Sequence, residues 1–164
     1  LVDGGERGRR ACWERPSGAR PYNAQAELRG SCTTLAPVIR TGNGLKEGVD
    51  KVLGLKEEVR ECGAGGPVGR AYNPGWHTAQ DLRNMVTNAE ALLRSAIERT
   101  ESRGAHARSD FPKLDPRLAA VSFIVRKSAD GQMTVFPVES EPTPPNLTEV
   151  ISQSFQKYTP EETE

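Results

Sequence analysis

The sequence predicts a mainly α protein: a three-helix antiparallel bundle, followed by a β-hairpin and an irregular C-terminal tail. Apolar residues recur at spacings of three and four in three segments before residue 100, which is the period of amphipathic helices. Two runs rich in apolar and β-branched residues then flank an Asp-Gly pair, which is typical of a tight turn between antiparallel strands.

The predicted organisation along the chain has four parts. Residues 1–21 form a flexible segment rich in Gly and Arg, and residues 22–112 form the bundle. Residues 113–139 form the hairpin extension, and residues 140–164 form a Pro-rich linker and tail. Because only 35% of the residues are hydrophobic, we expect a modest core with irregular margins.

The first two helices are separated by breaker residues. The first helix begins after Pro21 and ends near Ala36, because Pro37 disfavours helical geometry at the residue before it. Residues 42–44, Gly-Asn-Gly, predict a turn, and the second helix follows over residues 45–61. The apolar stripes of these two helices contain Leu28, Cys32, Leu35, Leu45, Val49, Val52, Leu53 and Val59.

The third helix, over residues 76–99, has the clearest periodicity, and Pro74 lies near its first turn. Its stripe is wide enough to need two covering helices, and the two preceding helices are the candidates, which predicts the bundle. The residues of this stripe are Trp76, Ala79, Leu82, Met85, Val86, Ala89, Leu92, Leu93, Ala96 and Ile97.

Charge and cysteine content restrict the function. Lys plus Arg and Asp plus Glu both total 22, so the zero net charge argues against binding nucleic acid or a membrane surface through charge. No apolar run approaches the ~20 residues that span a bilayer. Three widely spaced cysteines are typical of free thiols in a reducing compartment. The chain begins without Met, and we expect it to be a fragment of a longer protein.

Several candidate sites have simpler interpretations. The glycine-rich residues 63–69 follow a helix rather than a strand, which favours a helix end over a phosphate site. The cysteines and histidines lack the paired close spacing of a zinc site. His77 is expected to pack locally at the start of the third helix. Glu90 and Arg94, four residues apart, are expected to form an ion pair on the helix surface.

Residues 101–106, Glu-Ser-Arg-Gly-Ala-His, are the most distinctive motif. Gly104 permits a left-handed backbone, and Arg103 offers a planar fork of donors beside the charge of Glu101 and the imidazole of His106. The motif fits either an anion site or, as we favour, a structural cluster at the helix end. The candidate docking and structural residues are Glu101, Ser102, Arg103, Gly104, His106 and Arg108.

This motif also carries a family resemblance. Residues 73–77 (Asn-Pro-Gly-Trp-His), 81–85 (Asp-Leu-Arg-Asn-Met) and 101–106 with Arg108 resemble the C-terminal region of the flavoprotein subunit of succinate dehydrogenase and fumarate reductase. L-aspartate oxidase is a relative of that family. The Ile39-Arg40 connector is similar to the one between the two preceding helices of the family.

The resemblance implies a parent protein that binds FAD and interconverts succinate and fumarate in electron transport, with the flavin and substrate residues upstream of this region. For this fragment it implies no catalytic, cofactor-binding or metal-binding residues. Its implied partners are the flavin-binding domain of the same subunit, onto which Glu101 and Arg103 would tie the helix end, and an iron–sulfur subunit. The implied location is cytoplasmic, peripheral to the inner membrane face through partner subunits.

Two alternatives stay open. The chain could be a freestanding protein-interaction module derived from that domain, or the tail of an L-aspartate oxidase. Ala105 favours the succinate and fumarate branch, since Leu is usual before the histidine in L-aspartate oxidase.

Overall fold

The computed structural model describes residues 20–63 and 72–158. Helices α1 (Pro21–Leu35), α2 (Gly42–Glu61) and α3 (Pro74–Glu98) pack against one another. The Cβ position of Gly48, near the start of α2, lies beside Leu35 at the end of α1 and Leu93 near the end of α3. The three helices therefore run up, down and up, which confirms the predicted mainly α fold with its antiparallel bundle.

The core of the bundle is an apolar seam between the three helices. Leu45 and Val52 of α2 meet Leu82 and Leu93 of α3, and each is at most 1% exposed. The prediction was wrong for Leu92, which is 49% exposed because it lies on the flank of α3 rather than in the seam. The other buried members of the core are Ala24, Leu28, Val49, Leu55, Val59, Cys62, Ala79, Val86 and Ala96.

The start of α2 differs from the prediction. Residues 42–44 form the first turn of the helix rather than a separate turn. The hydroxyl of Thr41 accepts a hydrogen bond from the Gly44 amide at 3.1 Å, which caps the helix. The carboxylate of Asp110 accepts from the Gly42 amide at 3.0 Å. This distant partner cannot be predicted from the local sequence, so the two glycines suggested a break.

Glu90 also differs from the prediction, because its side chain is fully buried rather than on the surface. One oxygen accepts from Lys56 Nζ of α2 at 2.6 Å and the other from Arg94 Nε at 2.9 Å. Burial alone would raise the pKa of Glu90, but the hydrogen bonds and charges of Lys56 and Arg94 outweigh it and lower the pKa. The expected pair with Arg94 exists, and Lys56 extends it across the two helices.

Short strands complete the fold. β1 (Ile39–Arg40) pairs in parallel with β2 (Ala107–Arg108), which joins the connector after α1 to the segment after α3. β3 (Val121–Lys127) and β4 (Met133–Glu139) form the predicted antiparallel hairpin, which packs on α3. Gly131 in its turn has a φ of 85°, which Gly adopts at no steric cost.

The C-terminal part contains α4 (Pro145–Tyr158), with Leu147, Val150 and Ile151 exposed. Within the described ranges, no helix combines the length and the apolar character that crossing a bilayer requires. Three predictions fall wholly or mostly outside the described residues: the flexible segment at 1–19, the glycine-rich helix end at 64–69, and the end of the tail at 159–164.

Candidate functional site

The motif at residues 101–106 contains a two-residue hairpin turn. The Arg103 amide donates to the His106 carbonyl at 2.8 Å, and the His106 amide donates to the Arg103 carbonyl at 3.0 Å. Gly104, the first central residue, has a φ of 57°, whereas Ala105 has a negative φ. This geometry is typical of a type II′ turn, which favours Gly at that position. The turn lies beyond the last residue of α3, so Gly104 does not itself end the helix.

Arg108 is the centre of the site, and it is only 3% exposed. Its Nη1 donates to the carbonyl of Ala96 at 2.7 Å and, at longer range, to those of Ile97 and Arg99. The carbonyls of Ala96 and Ile97 are among the last of α3, which have no partner within the helix, and Arg99 directly follows the helix. A buried guanidinium there satisfies them and complements the negative end of the helix dipole.

Asp110 connects Arg108 to the start of α2. Its two carboxylate oxygens accept from Arg108 Nε at 2.8 Å and Nη2 at 2.7 Å, a bidentate pair. The same carboxylate accepts from the Gly42 amide at the positive N-terminal end of α2. The hydrogen bonds from Arg108 hold the pKa of Asp110 well below its usual range. One ion pair therefore fastens the end of α3 to the beginning of α2.

Glu101 is the second charge centre, and its side chain is fully buried. One oxygen accepts from Arg99 Nη1 at 2.6 Å and Arg103 Nε at 2.9 Å. The other accepts from Arg103 Nη2 at 3.0 Å and the Asp115 amide at 2.9 Å. These donors, Arg103 foremost, lower the pKa of Glu101 to about 2. The carboxylate is therefore ionised throughout the physiological pH range.

Arg99 carries the network to the hairpin. Its Nη2 donates to the Val121 carbonyl at 2.7 Å, and its guanidinium lies 4.9 Å from the centre of the Phe123 ring. A guanidinium over an aromatic face is attracted by the negative charge of that face. Through Arg99, the buried Glu101 carboxylate positions β3 against the end of α3.

Ser102 and His106 fix the loop between the charges. Ser102 Oγ accepts from the Arg108 amide at 2.8 Å and donates to the Phe111 carbonyl at 2.8 Å. His106 Nδ1 lies 2.8 Å from Arg40 Nη1, and its Nε2 lies 3.1 Å from the Arg99 carbonyl. Burial lowers the pKa of His106, and the charges of the neighbouring arginines also lower it; together they outweigh the hydrogen bond to the Arg99 carbonyl, which raises it.

The structure brings the charged members of the predicted set into one network, which we name the polar cluster. Its residues are Arg99, Glu101, Ser102, Arg103, His106, Arg108 and Asp110. Arg99, Asp110 and the associated Arg40 were not predicted as site residues. A sequence signal existed for Arg99 and for Asp110, because they lie two residues from Glu101 and Arg108, respectively. Arg40 lies far away in the sequence.

The expected tie of Glu101 and Arg103 to another domain stays a prediction. Within this chain, both oxygens of Glu101 accept hydrogen bonds from residues of the same chain. Arg103 is similarly engaged, although 38% of its side chain is exposed. His77 lies apart at the exposed start of α3, and its ring packs on that of Trp76 in a T-shaped arrangement, as the sequence indicated.

Chemically, the cluster is an internal set of saturated ion pairs. Glu101 accepts four hydrogen bonds, and Arg108 uses all three of its nitrogens. Beside it lies a groove of about 450 Å³ between Thr100 and Arg117, whose lining residues other than Asp115 are exposed. Such paired charges hold backbone segments together and leave little capacity for a substrate anion.

This chain is similar in sequence to a known protein family and to several named proteins. The family described as "Fumarate reductase flavoprotein C-term" matches residues 25–157. The fumarate reductase flavoprotein subunit of Mycobacterium tuberculosis is 29% identical over 118 residues, which cover 72% of this chain and 20% of that protein. An L-aspartate oxidase of Streptomyces coelicolor is 28% identical over 127 residues, which cover 77% of this chain and 21% of that protein.

Solved structures of related proteins contain the same fold. The Mycobacterium smegmatis Sdh1 complex in the apo form superposes with a TM-score of 0.82 and 32% identity, covering 98% of this chain and 28% of that chain. The chain spans about a fifth of the length of the curated relatives it matches. Because the family match covers most of the chain, from α1 through α4, this chain belongs to the family of succinate dehydrogenase and fumarate reductase flavoprotein C-terminal domains.

Proposed function

We propose that this domain is the docking and positioning part of an FAD-dependent succinate/fumarate oxidoreductase and has no catalytic activity alone. Its partner is the flavin-binding domain of the same subunit, and the assembled subunit passes electrons to an iron–sulfur subunit. The enzyme lies in the cytoplasm, peripheral to the inner membrane face through partner subunits. The names of the relatives, which are flavoprotein subunits of such enzymes, support this assignment.

The observation that carries the proposal is that the charged groups of the polar cluster bond to one another, whereas apolar side chains close to them in sequence are exposed. Val38 and Ile39, on the connector that β1–β2 pairing attaches to the cluster, are 68% and 66% exposed. Phe111 and Leu114, just beyond Arg108, are 40% and 61% exposed. We name these four residues the docking surface. Groups of exposed apolar residues are typical of a protein interface.

The described residues do not themselves fit FAD. A flavin dinucleotide places its pyrophosphate at the N-terminus of a helix that follows a strand and a Gly-x-Gly-x-x-Gly turn. α2 does follow β1 and begins with Gly-Asn-Gly, but the carboxylate of Asp110 already occupies the Gly42 amide. A third glycine is missing, since Glu47 stands at its position. We therefore assign FAD to the preceding flavin-binding domain and no step of its chemistry to these residues.

A binding measurement tests whether this domain by itself binds FAD. The purified chain is incubated with FAD and dialysed, and retained flavin is measured by absorbance. We expect no stoichiometric retention; one flavin retained per chain would contradict the proposal.

Docking is tested by expressing the flavin-binding region encoded upstream as a separate chain and measuring its association with this domain. Leu114→Asp should weaken association at least about tenfold, because a charge would be buried unpaired at the interface. Leu147→Asp, the same change at a similarly exposed position on α4, is the matched control. Equal association of Leu114→Asp and the control would refute the docking surface.

L-aspartate oxidase is the second candidate for the parent enzyme, because the Streptomyces coelicolor relative of that name covers 77% of this chain. The full-length subunit should reduce a dye acceptor with succinate. Turnover with L-aspartate and none with succinate would select the second candidate.

A further inference from the structure

His106 is held in one protonation state by its partners. The Arg40 guanidinium has donors and no acceptor, so the Nδ1 that it contacts at 2.8 Å must accept. The Arg99 carbonyl can only accept, so the Nε2 at 3.1 Å must carry the proton. The geometry therefore requires the neutral imidazole with its proton on Nε2. A second proton on Nδ1 would point at a guanidinium and remove the hydrogen bond.

Arg40 is the residue that this hydrogen bond holds. Its Nε donates to the Pro37 carbonyl at 2.8 Å, within the connector between α1 and α2. Its own carbonyl accepts from the Ser109 amide at 2.9 Å, next to the Arg108–Asp110 pair. The imidazole of His106 therefore bonds to Arg40, whose side chain also bonds within the connector. The carbonyl of Arg40 attaches the connector to Ser109, beside the polar cluster. Val38 and Ile39 of the docking surface lie on this connector.

The charges around the ring oppose its protonation. Positive groups come from three segments: Arg40 on β1, Arg99 after α3 and Arg108 on β2. The nearby carboxylates, Glu101 and Asp110, are neutralised by their own bonds to Arg99 and Arg103 and to Arg108, respectively. Those bonds also neutralise Arg99 and Arg108, so the charge that an imidazolium would face most directly is that of Arg40 at 2.8 Å, and it would gain no carboxylate partner.

We infer that His106 is a pH-sensitive switch that releases Arg40, and with it the connector bearing Val38 and Ile39, when the imidazole takes up a proton. Above the pKa of His106 the connector is fastened to the polar cluster. Below that pKa the Arg40–His106 hydrogen bond is lost, and charge repulsion moves the two side chains apart. The consequence for docking to the flavin domain rests on the function proposed above, whereas the release of the connector does not.

Nuclear magnetic resonance of the imidazole nitrogens tests the switch, and the chain has only two histidines, so the signals are few. At about pH 7.5, where a free histidine is neutral, we expect the shifts of the Nε2–H tautomer for His106. On acidification His106 should titrate below the ordinary range of a histidine side chain. A proton on Nδ1 at neutral pH, or titration above that range, would overturn the inference.

Release of the connector is measured by hydrogen exchange of the Ser109 amide, corrected for the pH dependence of the exchange reaction itself. Its protection should fall at least about tenfold as the pH is lowered from about 7.5 through the titration of His106 observed by magnetic resonance, because the neutral imidazole is then lost. His106→Gln keeps an acceptor for Arg40 and cannot titrate, so its protection should change less than about twofold over that range. His77→Gln is the control and should behave as the native chain.

Association with the flavin-binding region, measured over the same pH range, separates the two proposals. Weaker association at low pH in the native chain, but not in His106→Gln, supports the switch. Ser109 protection that is independent of pH in the native chain overturns the switch while leaving docking intact. Failure to associate at any pH instead contradicts the docking function.

Discussion

The bundle seam and the polar cluster hold the same three helices together by different physics. The seam buries Leu45, Val52, Leu82 and Leu93 by the non-directional hydrophobic effect, which tolerates swaps that conserve volume. The polar cluster has short hydrogen bonds of fixed direction, centred on Arg108, and tolerates almost no change of geometry. The seam therefore provides stability, and the cluster determines where the helix ends and the docking surface lie.

The largest expected effect is that of Arg108→Ala. It leaves the last carbonyls of α3 and the Asp110 carboxylate without their donor, which should lower the free energy of unfolding by about 3–5 kcal/mol. Arg126→Ala, which removes an exposed guanidinium 5.3 Å from the Phe136 ring, should cost below about 1 kcal/mol. Urea unfolding measures both; similar losses would mean that the buried position of Arg108 contributes nothing.

The seam is tested by Leu82→Ala, which removes a fully buried side chain. The lost burial and the cavity should lower the free energy of unfolding by about 2–5 kcal/mol. Leu92→Ala on the same helix is the control, and it should change stability by less than about 0.5 kcal/mol because Leu92 is half exposed. A cost for Leu92 as large as that for Leu82 would show that the seam is assigned to the wrong face of α3.

Glu101→Gln tests the contribution of the polar cluster through the pH dependence of the free energy of unfolding. Because the pKa of Glu101 is lowered to about 2, its contribution is complete above its ordinary pKa of about 4.5 and is lost as pH falls through about 2. The variant should lose about 1.5–3 kcal/mol at neutral pH, where charged hydrogen bonds are broken, and the difference from the native chain should shrink in acid. Glu57→Gln, on an exposed pair with Arg60, is the control and should change the free energy of unfolding at neutral pH by less than about 1 kcal/mol. Urea unfolding at several pH values measures this difference. A difference between Glu101→Gln and the native chain that does not change with pH would contradict an ionised Glu101 carboxylate.

The smallest effect concerns backbone conformation. The Cβ position of Gly104 meets open space, so Gly104→Ala should cost only the strain of its positive φ, about 1–2 kcal/mol. Gly54 in α2 also faces open space but has ordinary helical geometry, so Gly54→Ala should stabilise the domain by up to about 1 kcal/mol. Thermal unfolding followed by circular dichroism compares them; changes of the same sign would exclude the type II′ turn.

The sequence was sufficient for the seam because its signal is periodic and local. The stripe of α3 predicted the burial of Leu82, Leu93 and Ala96, and the Asp-Gly pair predicted the hairpin. The exposed Leu92 shows the limit of this method, since it lies next to a true core residue in the stripe.

The cluster could be predicted only in part, because its partners are distant in sequence. The motif placed the charge of Glu101 beside the guanidinium of Arg103, and in the structure the two side chains form an ion pair. The burial of Arg108 depends on Asp110 and on the end of α3, and the helical start of α2 depends on the same Asp110. Likewise, Glu90 is buried because Lys56 of α2 reaches it. Such side chains are identified by the contacts between elements, which periodicity does not specify.

A double-mutant cycle between Arg108 and Asp110 tests most directly whether one ion pair fastens the end of α3 to the start of α2. Free energies of unfolding are measured for Arg108→Ala, Asp110→Ala, the double variant and the native chain. We predict that the two substitutions couple by about 1–3 kcal/mol, because each removes the same bidentate contact. Additive losses, agreeing within about 0.5 kcal/mol, would contradict this fastening.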